Sequence, residues 1–266
     1  MNDNKYKIAL LSAFIGTPGK SELKITPECQ QELKDFGVDI YLFNNTNKSM
    51  LEQYYTPSIE NPNPSKSYFE TMLDNVRFKQ SIFPSEEANY NRCLAKLPRM
   101  QFYKIIPNDY DYYVWCDSKF TLCSHWLDYV LFLIDRYKEY DCLVSEHSER
   151  SSIKEELDYM IYYMKEYNSE NLCSKYNMAE MHHQVRTYKK DRKFKDNKLF
   201  ETGFLVFSKN ILKQKEFLDD WYGHNYFFTI QDQLSFPYLC YKHNIKVYPV
   251  KQRIYDMPFT KYDYIG

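Results

Sequence analysis

The sequence predicts an α/β fold built around a mostly parallel central sheet. The chain opens with an apolar strand at residues 7–14 (KIALLSAF), a helix at residues 26–36 and a second strand at residues 38–43. This order is typical of parallel strands joined by a right-handed crossover. Further along, residues 112–116 (YYVWC) carry apolar or aromatic side chains at every position. Such a run indicates a strand that is covered on both faces, in the middle of a sheet.

The remaining elements follow from apolar periodicity and from capping residues. Pro27 stands in the first turn of the first helix and Gly37 directly after its end, the usual positions of these residue types. Further helices are predicted at residues 68–77, 86–94, 126–137, 151–167, 173–188, 210–222 and 232–241. Further strands are predicted at residues 141–145, 199–208 and 245–250, and surface loops at residues 51–67 and 189–198.

Length, charge and cysteine content restrict the class of protein. The 266 residues are enough for one large α/β domain. A net charge of −1 gives no support for a nucleic-acid partner. Seven irregularly spaced cysteines favour reduced thiols in the cytoplasm over a disulfide framework. The N-terminal apolar run is short, which indicates a first strand rather than a signal peptide, and no stretch is long enough to span a membrane.

Polar clusters follow several of the predicted strands or lie in neighbouring loops. They are Asn91-Arg92 with Lys96, Asp117-Ser118-Lys119, His147 with Arg150, and Glu201-Thr202-Gly203 with Asp232-Gln233. The carboxyl ends of strands in an open parallel sheet converge on the ligand site. Basic groups there would offset the charge of a diphosphate, and carboxylates would hold a divalent cation. A further acid could deprotonate a hydroxyl nucleophile, so the set suits sugar transfer from a nucleotide sugar.

Four of these residues also have an ordinary structural explanation. Asp117 and Asp232 can cap the helices that follow them, and Arg92 and Lys96 share one face of a helix, where charges are usually solvated. Two other functions stay open at this point. One is a nucleotidyltransferase acting on sugar phosphates, although the first turn, IGTPGKS, fits no Gly-rich phosphate motif. The other is a nucleotide-sugar-binding module without catalytic activity.

Several segments together resemble a known family. NRCLAKLP, YVWCDSKFTL, SEHSERSSIKEE and QDQLSF resemble, in the same order, the glycosyltransferases of plants and bacteria known as domain of unknown function 616. Glycosyltransferases of large algal viruses are similar in size and layout. The resemblance spans residues 91–236 and implies the GT-A fold, a three-layer sandwich. It further implies a single domain with a donor-binding half at residues 1–125 and an acceptor side at residues 126–266.

The resemblance also implies roles for individual residues. The donor-binding set is Asn91, Arg92, Lys96, Asp117, Lys119, His147, Arg150, Gly203 and Gln233. Asp232 is the candidate catalytic base and Glu201 the second candidate. Asp117 would bind Mn²⁺ or Mg²⁺, although the usual D-x-D motif reads Asp117-Ser118-Lys119 here and Lys119 could take over part of the cation's role. The expected donor is a nucleoside-diphosphate sugar, a UDP-sugar first of all, and the expected acceptor is a glycan or glycoprotein.

Overall fold

A computed structural model describes residues 5–16, 22–55, 86–167, 176, 178–251 and 260–262. Most of the predicted loop at residues 51–67, the predicted helix at residues 68–77 and most of the turn IGTPGKS lie outside the described residues. The start of the helix predicted at residues 173–188 lies outside them as well.

Six strands form the central sheet. They are β1 (Ile8–Ala13), β3 (Asp39–Phe43), β4 (Tyr112–Cys116), β6 (Cys142–Glu146), β7 (Phe200–Ser208) and β8 (Val247–Val250), in the spatial order β3-β1-β4-β7-β6-β8. β7 is antiparallel to both of its neighbours, and the other pairs are parallel. The predicted mostly parallel sheet is therefore confirmed. Because β7 is reversed, its first residues lie beside the last residues of β4 and β6.

A small second sheet lies next to the carboxyl end of β4. It consists of β2 (Lys24–Ile25), β5 (Phe120–Leu122) and β9 (Thr260–Tyr262), with β5 in the middle. The chain passes from β4 to β5 through a tight turn, in which the Phe120 amide donates to the carbonyl of Asp117 over 3.2 Å. This turn holds the Asp117-Ser118-Lys119 cluster at the edge of the main sheet.

Helices cover both faces of the main sheet. The helices that pack on the sheet are α1 (Pro27–Phe36), α3 (Glu86–Met100), α5 (Trp126–Arg136), α8 (Lys215–Phe227) and α9 (Asp232–Lys242). Successive strand residues point to opposite faces. Leu10 and Val114 accordingly belong to a core shared with α1 and α5, whereas Leu11 and Trp115 belong to a core shared with α3, α8 and α9. This is the predicted three-layer arrangement.

Local sequence accounts for the ends of α1. The Thr26 hydroxyl accepts a hydrogen bond from the Cys29 amide over 3.4 Å, and Pro27 occupies the first turn. Gly37 ends the helix at φ 81°, a left-handed conformation that glycine adopts without a steric penalty. The predicted bounds of this helix are correct to within one residue.

The other helices are α2 (Lys48–Glu52), α4 (Phe102–Ile105), α6 (Ile153–Tyr167) and α7 (Met178–Lys189), with 3₁₀ turns at Asn45–Asn47 and Lys209–Lys213. Two predictions need correction. The helix predicted at residues 86–94 continues through Pro98 to Met100, and the one predicted at residues 210–222 is a 3₁₀ turn followed by α8. Within the described ranges, every helix is too short or too polar to cross a bilayer.

Candidate active site

A cavity of about 610 Å³ lies at the carboxyl ends of β1, β4 and β6, beside the start of β7. It is lined by ten of the predicted site residues: Arg92, Lys96, Asp117, Lys119, His147, Arg150, Glu201, Gly203, Asp232 and Gln233. Asn91 is the one member of the predicted set that does not line it. Residues separated by up to about 140 positions in the chain therefore meet at one edge of the sheet.

Helix α3 presents a row of basic side chains to the cavity. Arg92, Lys96 and Arg99 follow one another at spacings of four and three residues, which places them on one face of a helix. Asn91 is adjacent to Arg92 in sequence, so its side chain points about 100° away from that face. Arg99 was missing from the predicted set because the helix was predicted to end at residue 94, whereas it continues to Met100.

Arg99 links the carboxylates on the two sides of the cavity. Its guanidinium forms an ion pair with Asp232, donates to the carbonyl of Thr202 over 3.0 Å, and has Nη1 at 3.6 Å from Oδ1 of Asp117. Only 3% of Arg99 is exposed to solvent. A buried guanidinium of this kind is a fixed, permanently charged part of the site.

Two tryptophan rings hold the Arg99 guanidinium in place. Its central carbon lies 5.4 Å from the ring centre of Trp115 and 5.5 Å from that of Trp221. These distances are typical of cation–π interactions, which are strongest when the cation is withdrawn from water. Trp115 is on β4 and Trp221 on α8, so the position of Arg99 is determined by the sheet and the helical layer together.

Asp232 is the first residue of α9 and is almost completely buried. Its Oδ2 accepts a hydrogen bond from the Thr202 hydroxyl over 2.8 Å and lies 3.3 Å from the Lys96 ammonium. Burial by itself raises the pKa of Asp232, but the charges of Arg99 and Lys96 and the Thr202 hydrogen bond outweigh burial and lower the pKa to about 2. Asp232 is therefore ionised at physiological pH and is a weak base.

Asp117 follows β4, and hydrogen bonds hold both its side chain and its backbone amide. The Trp115 indole donates to Asp117 Oδ1 over 2.8 Å, and the Asp117 amide donates to the carbonyl of Gly203 over 2.8 Å. A Cβ atom at Gly203 would lie 3.1 Å from Oδ2 of Asp117. A side chain at residue 203 would therefore press against this carboxylate, and glycine leaves room for the close approach of β7.

An irregularity in β7 brings consecutive residues to the cavity. Val144 pairs with Leu205 and Ser145 with Glu201, so the register with β6 skips residues 202–204. In a regular strand neighbouring side chains point to opposite faces, whereas here Glu201, Thr202 and Gly203 all line the cavity. Glu201 is 4% exposed and lies deep in the wall.

A polar network forms the opposite wall. Arg150 donates through Nε to Glu156 over 2.6 Å, and its Nη2 lies 2.8 Å from Nε2 of His147. The Gln231 amide donates to Glu156 over 2.6 Å and to Gln233 over 2.8 Å. These contacts connect the loop after β6 and the helix α6 to the start of α9.

Glu156 lines the cavity but was not among the site residues predicted from the sequence. The Ser151 amide donates to the Glu155 carboxylate over 2.6 Å, so Glu155 binds a backbone N–H group at the start of α6. Glu156 is the next residue, points about 100° away on the helix and is 1% exposed at the cavity. The acidic pair in SIKEE was the available signal, and only one of its members lines the cavity.

The described residues do not fit a divalent cation bound by protein groups. Among them, no three His, Cys, Asp or Glu side chains converge on one point. The single predicted ligand, Asp117, has Arg99 at 3.6 Å from one oxygen and Lys119 at 3.8 Å from the other. Mn²⁺ and Mg²⁺ require several oxygen ligands and are repelled by neighbouring cations.

A family model described as TOD1/MUCI70, glycosyltransferase-like domain matches residues 82–258, about two thirds of the 266-residue chain. The chain belongs to this TOD1/MUCI70 family. The matched range includes every predicted site residue from Asn91 to Gln233. With the three-layer architecture, membership of the TOD1/MUCI70 family confirms the prediction of a GT-A-type glycosyltransferase.

Three solved structures resemble this TOD1/MUCI70 chain at low sequence identity. Mouse xyloside xylosyltransferase 1, in its apo form, is 9% identical with a TM-score of 0.46, over 92% of this chain and 85% of that one. Core-mannan synthase A from Aspergillus fumigatus, in an Mn/GDP form, is 14% identical with a TM-score of 0.41, over 91% and 72%. A197 from STIV is 10% identical with a TM-score of 0.34, over 92% and 82%. Likenesses at these TM-scores carry no inference about function. A comparison with curated proteins found no match.

Proposed function

We propose that the chain transfers a sugar from a nucleoside-diphosphate sugar to a hydroxyl group of a glycan or glycoprotein. The observation that carries the proposal is the row Arg92, Lys96 and Arg99 facing the carboxylates of Asp117 and Asp232 across one cavity. Basic groups bind phosphate oxygens, and ionised carboxylates accept hydrogen bonds from sugar and ribose hydroxyls. A nucleotide sugar contains both kinds of group within one molecule.

The charge of the cavity suits the donor. Its lining contains five basic side chains (Arg92, Lys96, Arg99, Lys119 and Arg150) and four acidic ones (Asp117, Glu156, Glu201 and Asp232). With His147 neutral the lining therefore has a net charge of +1, which complements a diphosphate ester. A UDP-sugar is the first candidate donor.

The two predicted catalytic acids receive different roles in this proposal. A general base works best when its pKa is near the pH of the reaction. Because Asp232 has a pKa of about 2, we assign it to accepting hydrogen bonds from donor hydroxyls. Glu201 then becomes the first candidate for the base that deprotonates the acceptor in an inverting reaction. In a retaining reaction both acids would position the donor and the acceptor.

The wall formed by α6 and the loop after β6 is the proposed acceptor side, so His147 and Arg150 move in this proposal from the predicted donor-binding set to the acceptor. Glu156 orients both Arg150 and Gln231 through hydrogen bonds of 2.6 Å. The Tyr159 ring is 40% exposed, and the Arg150 guanidinium lies 4.0 Å from its centre. An exposed ring beside oriented polar groups suits a sugar, which presents an apolar face and hydroxyl edges.

Two finer predictions go with this function. Mn²⁺ or Mg²⁺ at Asp117 stays a prediction of the sequence resemblance, although the described residues fit such an ion poorly. Location in the cytoplasm is supported by the cysteines, since the six within the described residues are all free thiols.

A thermal-shift panel of UDP-, GDP- and dTDP-sugars, each tested in EDTA and in MnCl₂, tests the proposal. We expect at least one nucleotide sugar to raise the melting temperature, because a ligand that binds only the folded state stabilises it. Transfer to an oligosaccharide panel is then followed by mass spectrometry with that donor. If no nucleotide sugar raises the melting temperature in either condition, the proposed function is wrong. Stabilisation by nucleoside triphosphates with sugar phosphates instead would indicate a nucleotidyltransferase.

A further inference from the structure

Two positively charged side chains flank the carboxylate of Asp117. Arg99 lies 3.6 Å from Oδ1, and the Lys119 ammonium lies 3.8 Å from Oδ2. The Arg99 side chain is 2% exposed and that of Lys119 is 34% exposed. One cation is thus fixed within the protein, and the other extends from the wall into the cavity.

The turn after β4 determines the position of Lys119. The Phe120 amide closes this turn on the carbonyl of Asp117, and Phe120 continues directly into β5. The Lys119 ammonium lies 5.4 Å from the centre of the Phe120 ring, whose side chain is buried. Lys119 therefore projects from a constrained segment, so less conformational entropy is lost when it binds an anion.

The charges around Asp117 favour a lysine rather than a metal ion as the partner of the donor diphosphate. A divalent cation placed on Asp117 would lie within a few ångströms of Arg99 and Lys119, and like charges at that range repel strongly in a partly buried site. The cavity already has one more basic than acidic side chain in its lining. Two monovalent side chains near Asp117 supply the charge that one divalent ion would otherwise bring to a diphosphate.

We propose that Lys119, supported by Arg99, binds the donor diphosphate directly and that donor binding requires no divalent cation. This inference rests on the proposed glycosyl transfer.

In that reaction the bond between the sugar C1 and the diphosphate oxygen breaks, and both electrons stay on the oxygen. The acceptor oxygen bonds to C1, and its proton passes to the base, for which Glu201 is the candidate. Lys119 offsets the negative charge that develops on the departing diphosphate.

Calorimetric titration with UDP and with GDP tests the proposal, using protein treated with EDTA and protein in excess MnCl₂. For the nucleotide that binds, we expect a Kd that agrees within about twofold between the two conditions. Lys119→Ala is expected to weaken binding by about tenfold or more, because it removes a charge-assisted hydrogen bond from the ammonium to the phosphate. Lys34→Ala, at an exposed position on α1, is the matched control and should leave the Kd unchanged.

Lys119→Asp is the sharper variant, because it places a second acid two residues after Asp117. We expect this variant to bind the nucleotide weakly in EDTA and to recover affinity when MnCl₂ is added. Circular dichroism confirms that each variant is folded. If the wild-type protein binds nucleotide only with MnCl₂, this inference is overturned while the proposed function stands. If neither nucleotide binds in either condition and no nucleotide sugar is turned over, the proposed function and this inference both fail.

Discussion

Arg99 and Asp232 form an ion pair that is almost completely withdrawn from solvent, with side-chain exposures of 2% and 8%. Arg99 is near the end of α3 and Asp232 begins α9, so the pair joins two helices that approach the cavity from different parts of the chain. Charges in such a place are stable only while both partners are present. Loss of either partner is therefore expected to destabilise the fold as well as to change the charge of the site.

Asp232→Asn is expected to lower the free energy of unfolding by about 3 kcal/mol, because Arg99 would remain buried without its full counter-charge. Urea denaturation measures the change. Asp158→Asn is the control, since Asp158 pairs with Lys154 on the surface, where an ion pair contributes about 1 kcal/mol or less. We expect the double variant Arg99→Met with Asp232→Leu to be more stable than Asp232→Asn. Equal stability of Asp232→Asn and the wild type would contradict the structural role of the pair.

The low pKa of Asp232 predicts a stability change in acid. Its pKa is about 2 in the folded protein, whereas the ordinary value for aspartate is 3.8. A carboxyl group whose pKa is lowered by folding contributes stability above the unfolded pKa and loses it as the pH falls toward the folded pKa. We expect a loss of about 2 kcal/mol between pH 4 and pH 2 from this group. Urea titrations across this range should show a shallower slope for Asp232→Asn, and an unchanged slope would refute the assignment.

His224 predicts a second, separate pH dependence at higher pH. It is 1% exposed, and burial lowers its pKa from 6.5 to about 3. Between these values the unfolded chain binds a proton that the folded protein does not, so stability falls as the pH drops from 6.5 toward 3. We expect a loss of up to about 4 kcal/mol over this window. His224→Gln should flatten the melting-temperature curve, whereas His182→Gln, at an exposed position, should leave it unchanged.

Gly203→Ala tests the close approach of β7 to Asp117. The added Cβ would lie 3.1 Å from the Asp117 carboxylate, so the carboxylate or the strand must move by a few tenths of an ångström. We expect nucleotide affinity to fall by about tenfold, equivalent to about 1.4 kcal/mol. Ser118→Ala, in the same turn, is the control and should retain affinity. Calorimetry that finds the same Kd for Gly203→Ala and the wild type would show that this carboxylate does not contact the donor.

Glu156→Gln tests the acceptor side. The variant keeps the shape of the side chain but weakens the bond to Arg150, which leaves an arginine with only 16% side-chain exposure poorly paired. We expect KM for the acceptor to rise by about tenfold, with little change in Kd for the donor nucleotide. Glu149→Gln is a matched control, because Glu149 also pairs with Arg150 but its side chain is 60% exposed. A rise in the donor Kd instead would place Glu156 on the donor side.

The sequence was most informative where local pattern determines structure. The apolar run at residues 112–116 matches β4 residue for residue, and ten of the eleven residues predicted from the polar clusters line one cavity. Arg99 was missed because the helix was predicted to end at residue 94, whereas packing of Leu97 and Met100 in the core continues α3 through Pro98 to Met100. The direction of β7 could not be predicted, because a buried strand has the same apolar pattern whether it runs parallel or antiparallel.

The reversed strand β7 also has a consequence for how the protein folds. β7 pairs with β4 and β6 on its two sides, although both strands precede it by many residues in the chain. Pairings between distant segments form slowly, because the loop entropy is lost before the contacts are gained. Until β7 inserts, β4 and β6 each have an unpaired edge that can recruit another chain. The step that completes the middle of the sheet also brings Gly203 to Asp117, so under the proposed function the recovery of nucleotide binding during refolding reports the insertion of β7.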